Sequence, residues 1–241
     1  MKLHLDFHIH SEKSHDGRMT PAEIAAIARA RGLDAVAICD HDVPYEGPSE
    51  VDGILIVPGI EISTDCGHLL GLFFDTPPTP IRDFHAAARE IHKCGGLTVL
   101  AHPFQRNPDT ARLLPLLPEL DGMEVWNGRG NRKNPRANAA AKAFAAEHGL
   151  RPFAGSDAHL PEEIGNGVVT LEVPERSLAA LREAVSTAPV EISGKCGKDL
   201  YVAKSQWTKL RKTKASPLRY GKWAAFAALC ILRDAAHHKD R

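Results

Sequence analysis

The feature that most constrains this chain is a repeated grammar in which short apolar strands close on histidine or a carboxylate and helical windows fall between them. In the first strand Leu3, Leu5, Phe7 and Ile9 alternate with His4, Asp6, His8 and His10, the period of two that gives a strand two distinct faces. Thr20-Pro21-Ala22-Glu23 then reads as a capping box with proline at the first helical position, and Ile24, Ile27 and Ala28 supply an apolar stripe before Gly32 ends the helix. A second strand follows at 35–40, and others fall near 54–58, 69–74, 97–101, 122–126 and 152–155, with helical windows at 80–94, 135–148 and 176–187. Such alternation predicts parallel β/α units, and roughly seven of them close or nearly close a barrel, with a doubly wound open sheet as the alternative.

With 241 residues, the chain has room for one large domain, or one domain and an appendage. A composition of 43% hydrophobic and 25% charged residues excludes disordered, collagen-like and coiled-coil chains. No apolar stretch approaches the roughly 18–20 residues that span a bilayer, so no membrane role is expected. Five scattered cysteines without a Cys-x-x-Cys pair give neither a disulfide framework nor a zinc knuckle, which fits a reducing, cytoplasmic setting. Cys39 and Cys94 read as small core residues.

The balance of 30 basic and 30 acidic residues conceals two unequal parts. Residues 195–241 hold twelve Lys and Arg against three Asp and Glu, leaving 18 against 27 in residues 1–194. Gly194-Lys195-Cys196-Gly197-Lys198 is the natural joint, giving a body at 1–194 and a basic extension at 195–241. In the extension Lys204, Lys209, Arg211, Lys212, Lys214, Arg219 and Lys222 are interleaved with Tyr201, Trp207, Tyr220 and Trp223. That mixture suits an oligonucleotide or other polyanion, and equally a basic arm that docks on its own acidic body or stays disordered. On the first reading, deleting 195–241 weakens binding of single-stranded nucleic acid while hydrolysis of a small chromogenic phosphoester persists. The apolar run 223–232 is too short for a membrane and reads as a helix packed on the body or on a partner subunit.

The candidate chemistry lies at the strand ends. His8 and His10 end strand one, Asp40-His41 ends strand two, Glu61 follows strand three, and His68 opens strand four. His102 ends strand five, and Asp157 and His159 end the last. Active sites of parallel barrels are built at the carboxyl ends of the strands, where the loops converge on one mouth; His68, at the start of its strand, is the exception. Imidazole and carboxylate without thiolate suit a catalytic zinc, manganese or iron, and residues i and i+2 of a strand point to one face, so His8 and His10 can reach one cation. His85, His92, His148, His237 and His238 read as surface residues, His15 as a solvated loop residue beside Asp16, and His4 and Asp6 as either support for the site or simple packing.

The chain resembles the PHP (polymerase and histidinol phosphatase) family in Asp6-Phe7-His8-Ile9-His10-Ser11, Asp16-Gly17, Thr20-Pro21-Ala22-Glu23, Ile38-Cys39-Asp40-His41-Asp42 and Pro58-Gly59-Ile60-Glu61-Ile62-Ser63. The likeness continues in Gly67-His68-Leu69-Leu70-Gly71, Ala101-His102-Pro103, Glu124-Val125-Trp126-Asn127 and Ala154-Gly155-Ser156-Asp157-Ala158-His159, covering about residues 1–175 in the family's order. The resemblance implies a distorted (β/α)7 barrel with two to three divalent cations, here followed by a basic, partly helical extension. It implies His8, His10, Glu61 and Asp157 around the first cation, Glu61 bridging to a second held by His68 and His102, and Asp16, His41 and His159 around a third. His15 stands where the family often has Ser, so His15 is the alternative donor to Asp16. The activity implied is a phosphoesterase in which a hydroxide bridging two cations attacks phosphorus, with Asp157 or His159 protonating the leaving oxygen. Arg106, Arg129 and Arg132, in loops at the expected mouth, are candidates for binding the substrate anion, with a solvated basic loop as the plain alternative. The substrate is a phosphorylated small molecule, a nucleotide or an oligonucleotide end. The rival readings are a metal-binding regulatory module without chemistry and an amidohydrolase-like hydrolase; the lysine that the latter class commonly uses is missing from every strand end named here.

Overall fold

The computed structural model describes residues 1–107 and 109–237, and for His237 the backbone alone; the surface reading of His238, and of the His237 side chain, falls outside that description. Its first strand, β1 (Lys2–Ile9), is followed by α1 (Pro21–Ala30), β2 (Ala35–Ile38), the short β3 (Glu50–Val51), β4 (Ile54–Thr64) and β5 (Gly67–Leu72). Then come α2 (Phe84–Lys93), β6 (Leu97–Leu100), β7 (Gly122–Asn127), α3 (Ala137–Glu147), β8 (Arg151–Gly155), β9 (Gly167–Glu172), α4 (Leu178–Thr187) and β10 (Glu191–Gly194). The extension forms α5 (Asp199–Lys212) and α6 (Pro217–His237). The expected capping box starts α1: Thr20 Oγ1 accepts from Glu23 N at 3.2 Å and Glu23 Oε2 accepts from Thr20 N at 2.8 Å.

The strands lie in the order β10-β9-β1-β2-β4-β5-β6-β7-β8, with β3 on β4. The sheet curls until β8 nearly meets β1, where His10 N donates to Ala158 O at 2.8 Å and Ala158 N to His8 O at 3.3 Å. Gly155 permits this approach, because a Cβ there would overlap the Cβ of His8. The result is a nearly closed α/β barrel, as expected, although its strands are not all parallel. Pairs β1–β2, β2–β4, β6–β7 and β7–β8 are parallel, whereas β5 runs antiparallel to both β4 and β6, and β9 antiparallel to β1 and β10. Only Asp65 and Cys66 join β4 to β5, far short of the dozen or so residues a parallel crossover takes, so the chain turns back as a hairpin. That reversal explains His68: paired with Ser63, it stands at the same end of the barrel as the carboxyl ends of the parallel strands.

Phe7 fills the barrel interior below the mouth, edge-on to Phe153 at 5.3 Å and tilted against Phe73 at 6.1 Å. Fully burying a side chain of this class stabilises by about 1.5–3 kcal/mol. A second apolar cluster packs α2 and α3 on the sheet through Ile91, Phe84 and Phe144, and a third packs α1 through Ile24 and Ala28. Cys39 and Cys94 are buried.

The extension lies against the body. Lys195 N donates to Asn166 O and Gly197 N to Gly128 O, tying down the joint. Trp223 Nε1 donates to Ala203 O at 2.7 Å and its ring packs on Trp207, which fastens α6 to α5. Asp234, from α6, accepts from Asp199 N and Leu200 N, capping α5 where Lys198 offers no side-chain cap. No described helix is long and apolar enough to cross a membrane.

Candidate metal centre

The nine residues nominated by the sequence converge at one end of the barrel. His8 Nε2 and His10 Nε2 face each other at 3.1 Å, Glu61 Oε2 lies 3.6 and 3.4 Å from them, and Asp157 Oδ1 lies 3.4 Å from His10 and 4.0 Å from His8. The other carboxylate oxygen, Glu61 Oε1, meets His68 Nδ1 at 2.6 Å and His102 Nε2 at 3.0 Å. Asp16 Oδ1 lies 3.7 Å from His41 Nε2 and 3.3 Å from His159 Nε2. His41 connects the groups, since its Nδ1 reaches Glu61 Oε2 at 2.7 Å. His15 stacks on His41 with ring centroids 4.8 Å apart and lies 3.5 Å from Asp16 Oδ2, so it borders the same group instead of being simply solvated.

Metal–ligand bonds of about 2.0–2.2 Å set neighbouring donor atoms roughly 3–3.5 Å apart, and the separations here, 2.6–4.0 Å, scatter around that spacing. Two further observations fit a cation. Glu61 Oε2 and Asp16 Oδ1 are buried, and although His41 Nδ1 and His159 Nε2 lie close to them, neither oxygen accepts a well-aligned hydrogen bond among the described residues, a deficit that a positive ion would meet. His8 Nδ1 faces the acceptor-only carboxylate of Glu124 at 2.9 Å, which fixes the proton on that outer nitrogen. Burial lowers the pKa of His8, but Glu124, Glu61 and Asp157 outweigh it and hold the imidazole protonated, so the inner Nε2 offers its lone pair only when a cation displaces its proton. The cluster is therefore able to bind divalent metal.

Its electrostatics agree. Burial alone would raise the carboxyl pKa of Glu61, but His68, His41 and His8 hold it well below the usual range, and His8, His10 and His159 do the same for Asp157. Burial and the neighbouring His159 and His41 keep His10 neutral. His41 goes the other way: burial lowers its pKa, but Glu61, Asp16 and Asp157 outweigh this and push it up to about 9. His102 and Asp157 both take positive φ, 30° and 55°, in the left-handed region that is uncommon for residues other than glycine.

Buried acids surround the donors; the sequence offers Asp6 as support or packing and Asp40 only as a strand end, and assigns Glu124 no role. Glu124 orients His8, accepts from His102 N at 2.9 Å and from Asn127 Nδ2 at 3.0 Å. Asp40 accepts from Ser11 N and Ser14 N, and Ser14 Oγ contacts His10 Nδ1 at 3.0 Å and accepts from His41 N. Asp6 accepts from Ser156 N and Gly165 N, both at 2.8 Å, which ties β1 to the segment carrying Asp157, and burial pushes its carboxyl up to about 6. The available signal was the inward face of the strands: Asp6 shares it with His8 and His10.

A cleft of about 380 Å³ opens over the donors, and Arg106, Arg129 and Arg132 all line it. The three differ in what they can offer an anion. Arg129 forms a buried bidentate pair with Glu163, at 2.7 and 2.6 Å, and its remaining Nη1 faces Ser205 Oγ, so most of its donors are occupied. Arg106 is exposed, and Arg132 lies over the ring of Phe226. Arg112, not nominated by the sequence, also lines the cleft and binds the backbone carbonyls of Pro103 and Cys66. From the extension, Val202 and Gln206 complete the wall, and Lys212 Nζ donates to the carbonyls of Glu12, Ser14 and Gly17 at 2.6–2.8 Å, holding the loop that carries Asp16.

Comparison with known proteins agrees with this architecture. A family model described as PHP-associated matches residues 135–188. A two-domain protein from Bacteroides vulgatus containing a predicted PHP-like metal-dependent phosphoesterase superposes with a TM-score of 0.64 at 24% identity, covering 86% of this chain and 70% of that one. The fold is of the PHP type. The PHP barrel also superposes on the lesion-specific endonuclease PfuEndoQ from Pyrococcus furiosus, with a TM-score of 0.56 at 20% identity, covering 80% of this chain and 58% of that one. In sequence, a 5'-3' exoribonuclease from Haemophilus influenzae is 39% identical over 80 residues, which are 29% of this chain and 28% of the relative.

Proposed function

We propose that this PHP-type chain is a metal-dependent phosphoesterase that hydrolyses a phosphomonoester or phosphodiester of a nucleotide, an oligonucleotide end or a related metabolite. The observation that carries the reading is the stacking of two features: converging donor groups that share Glu61, and directly above them a cleft with free arginine side chains. The cation-binding residues proposed are His8, His10, Glu61 and Asp157 for the first, Glu61, His68 and His102 for the second, and Asp16, His41 and His159 for the third. Zinc, manganese or iron suits these donors, and two to three such ions supply Lewis-acid polarisation of the phosphoryl oxygen and acidification of water.

The protein's own groups do the rest. Arg106 and Arg132 bind the phosphate oxygens, while Arg129, paired with Glu163, positions: Glu163 Oε2 also accepts from His159 N at 3.1 Å and fixes that residue. Of the two candidates for protonating the leaving oxygen, Asp157 is disfavoured, because a carboxyl held so far below its usual range carries no proton near neutrality. His159 takes that role. The likeness to an exoribonuclease and an endonuclease supports nucleotide-containing substrates over other phosphoesters.

The test is a panel of phosphoesters and amides given to one manganese-loaded preparation, repeated with Glu61→Gln. Phosphoester turnover should be present, amide turnover absent, and Glu61→Gln should lose at least about a hundredfold in rate together with bound metal while keeping its circular dichroism. Full activity of Glu61→Gln on every phosphoester, or preference for amides, sinks the proposal.

A further inference from the structure

Beside the metal cleft runs a second groove of about 390 Å³, between the body and α6. Arg106, Arg132, Val202 and Gln206 line both, so the two lie side by side and share these residues. Five cations line the groove, Arg106, Arg132 and Lys133 from the body and Arg219 and Lys222 from α6, and among the described residues no carboxylate does. None of the five forms an ion pair among the described residues, although the same surface pairs Lys204 with Glu162 and Arg233 with Asp199 nearby. A cation cluster kept apart from available acids is an anion site in waiting. Aromatic surface lies among the charges: Trp223 and Phe226 line the groove, and Phe226 already carries the Arg132 guanidinium 5.6 Å from its ring centroid.

We propose that this groove binds the strand of a single-stranded oligonucleotide flanking the phosphate held over the metal centre, its backbone on Arg106, Arg132, Lys133, Arg219 and Lys222 and a base against Trp223 or Phe226. Charge without aromatics would serve any polyanion, and aromatics without charge would serve a small apolar ligand; the interleaving selects a chain with both phosphates and bases. Burial and the surrounding cations also hold Lys133 below its ordinary range, as expected where positive groups crowd without a partner. The inference rests on the phosphoesterase reading for what happens to the strand, and on the groove alone for its binding.

Binding is measured as fluorescence anisotropy of labelled oligo(dT) and oligo(U) octamers with the full chain, at two salt concentrations and without added divalent metal. Arg219 and Lys222 are exposed on α6, so replacing both with Gln leaves the packing intact. The Arg219→Gln, Lys222→Gln double variant should bind about tenfold more weakly and lose about 1.4 from the log–log salt slope, near 0.7 for each phosphate contact removed, while hydrolysis of bis(p-nitrophenyl) phosphate stays at the parent rate. A tenfold difference between the two octamers identifies RNA or DNA as the source; equal affinity supports their shared chemistry, a phosphodiester strand. Wild-type affinity and slope in the double variant overturn the groove, as does equal competition by polyglutamate of matched charge, which would make the partner an acidic polypeptide. Absence of bis(p-nitrophenyl) phosphate hydrolysis in the parent chain would count against the phosphoesterase reading and leave the binding result standing.

Discussion

A neutral imidazole binds metal and a protonated one does not, so the proton on His41 competes with any cation at its nitrogens. Its pKa in the folded, metal-free chain is about 9, against 6.5 in a free side chain. A raised folded-state value stabilises the metal-free fold fully below pH 6.5, and that contribution disappears as pH rises through 9. Metal binding runs the opposite way: affinity for the cation at His41 should climb between pH 6.5 and 9, with about one proton released from His41 when that one cation binds at pH 7.5. Calorimetric titration in two buffers of different ionisation heat reads that proton directly, and a binding heat independent of buffer would refute the assignment. Glu124 makes a second case at this scale. It holds the outer nitrogen of His8 and the amide of His102, and such outer partners are typically worth 10–100-fold in metal affinity. Glu124→Gln keeps the shape and removes the charge, so metal titration should give a loss within that range while the thermal midpoint moves little; unchanged affinity would make Glu124 a packing residue.

Among the elements, β1 was readable because a period of two puts His8 and His10 on one face whatever lies around them. α1 was readable because Thr20, Pro21 and Glu23 act locally. The direction of β5 was not, since its Leu-rich segment is compatible with either sense and only the two-residue link at 65–66 decides. The inward acids were hidden for another reason: Asp40 and Glu124 bind partners 22–29 residues away, and no local pattern announces such contacts. The clamp between α5 and the loop after β1 is the extreme of this kind. Lys212 and the carbonyls it binds are separated by 195–200 positions, yet the ammonium organises the turn holding Ser14 and Asp16. Lys212→Met retains the length of the side chain and removes its donors. It should raise amide hydrogen exchange across residues 12–17 and weaken the cation at Asp16 about tenfold, leaving the one beside His8 and His10 in place. Equal weakening of every cation would show that the clamp supports the whole barrel instead of one loop.

At the scale of the molecule, charge asymmetry pointed to the basic extension, and sequence alone left open whether it reaches for a polyanion or lies on its own body. The structure has it on the body, and the docked α5 and α6 leave along the groove five cations that form no ion pair among the described residues, which keeps a place for the polyanion. Docking does change what removal of 195–241 should do. Viewed as an appendage, the extension could be deleted with hydrolysis of a small chromogenic phosphoester intact. In the fold, Val202 and Gln206 wall the metal cleft, Ser205 meets the Arg129–Glu163 pair, and Lys212 holds the Asp16 loop. Deletion therefore takes one wall of the cleft and the restraint on Asp16 together. It also removes the bonds that Lys195, Gly197, Ser205 and Lys212 make to the body, and each kcal/mol so lost lowers the thermal midpoint by about 2–4 °C in a chain this long. The expected outcome is a truncated protein that melts earlier and turns over bis(p-nitrophenyl) phosphate more slowly, while the Arg219→Gln, Lys222→Gln variant keeps both properties and loses strand binding alone. Melting curves and initial rates on the two proteins side by side separate these effects. Should the truncated chain match the parent in midpoint and rate, the extension would be a passenger on the barrel, and the contacts of Lys212 and Ser205 would carry no share in the chemistry.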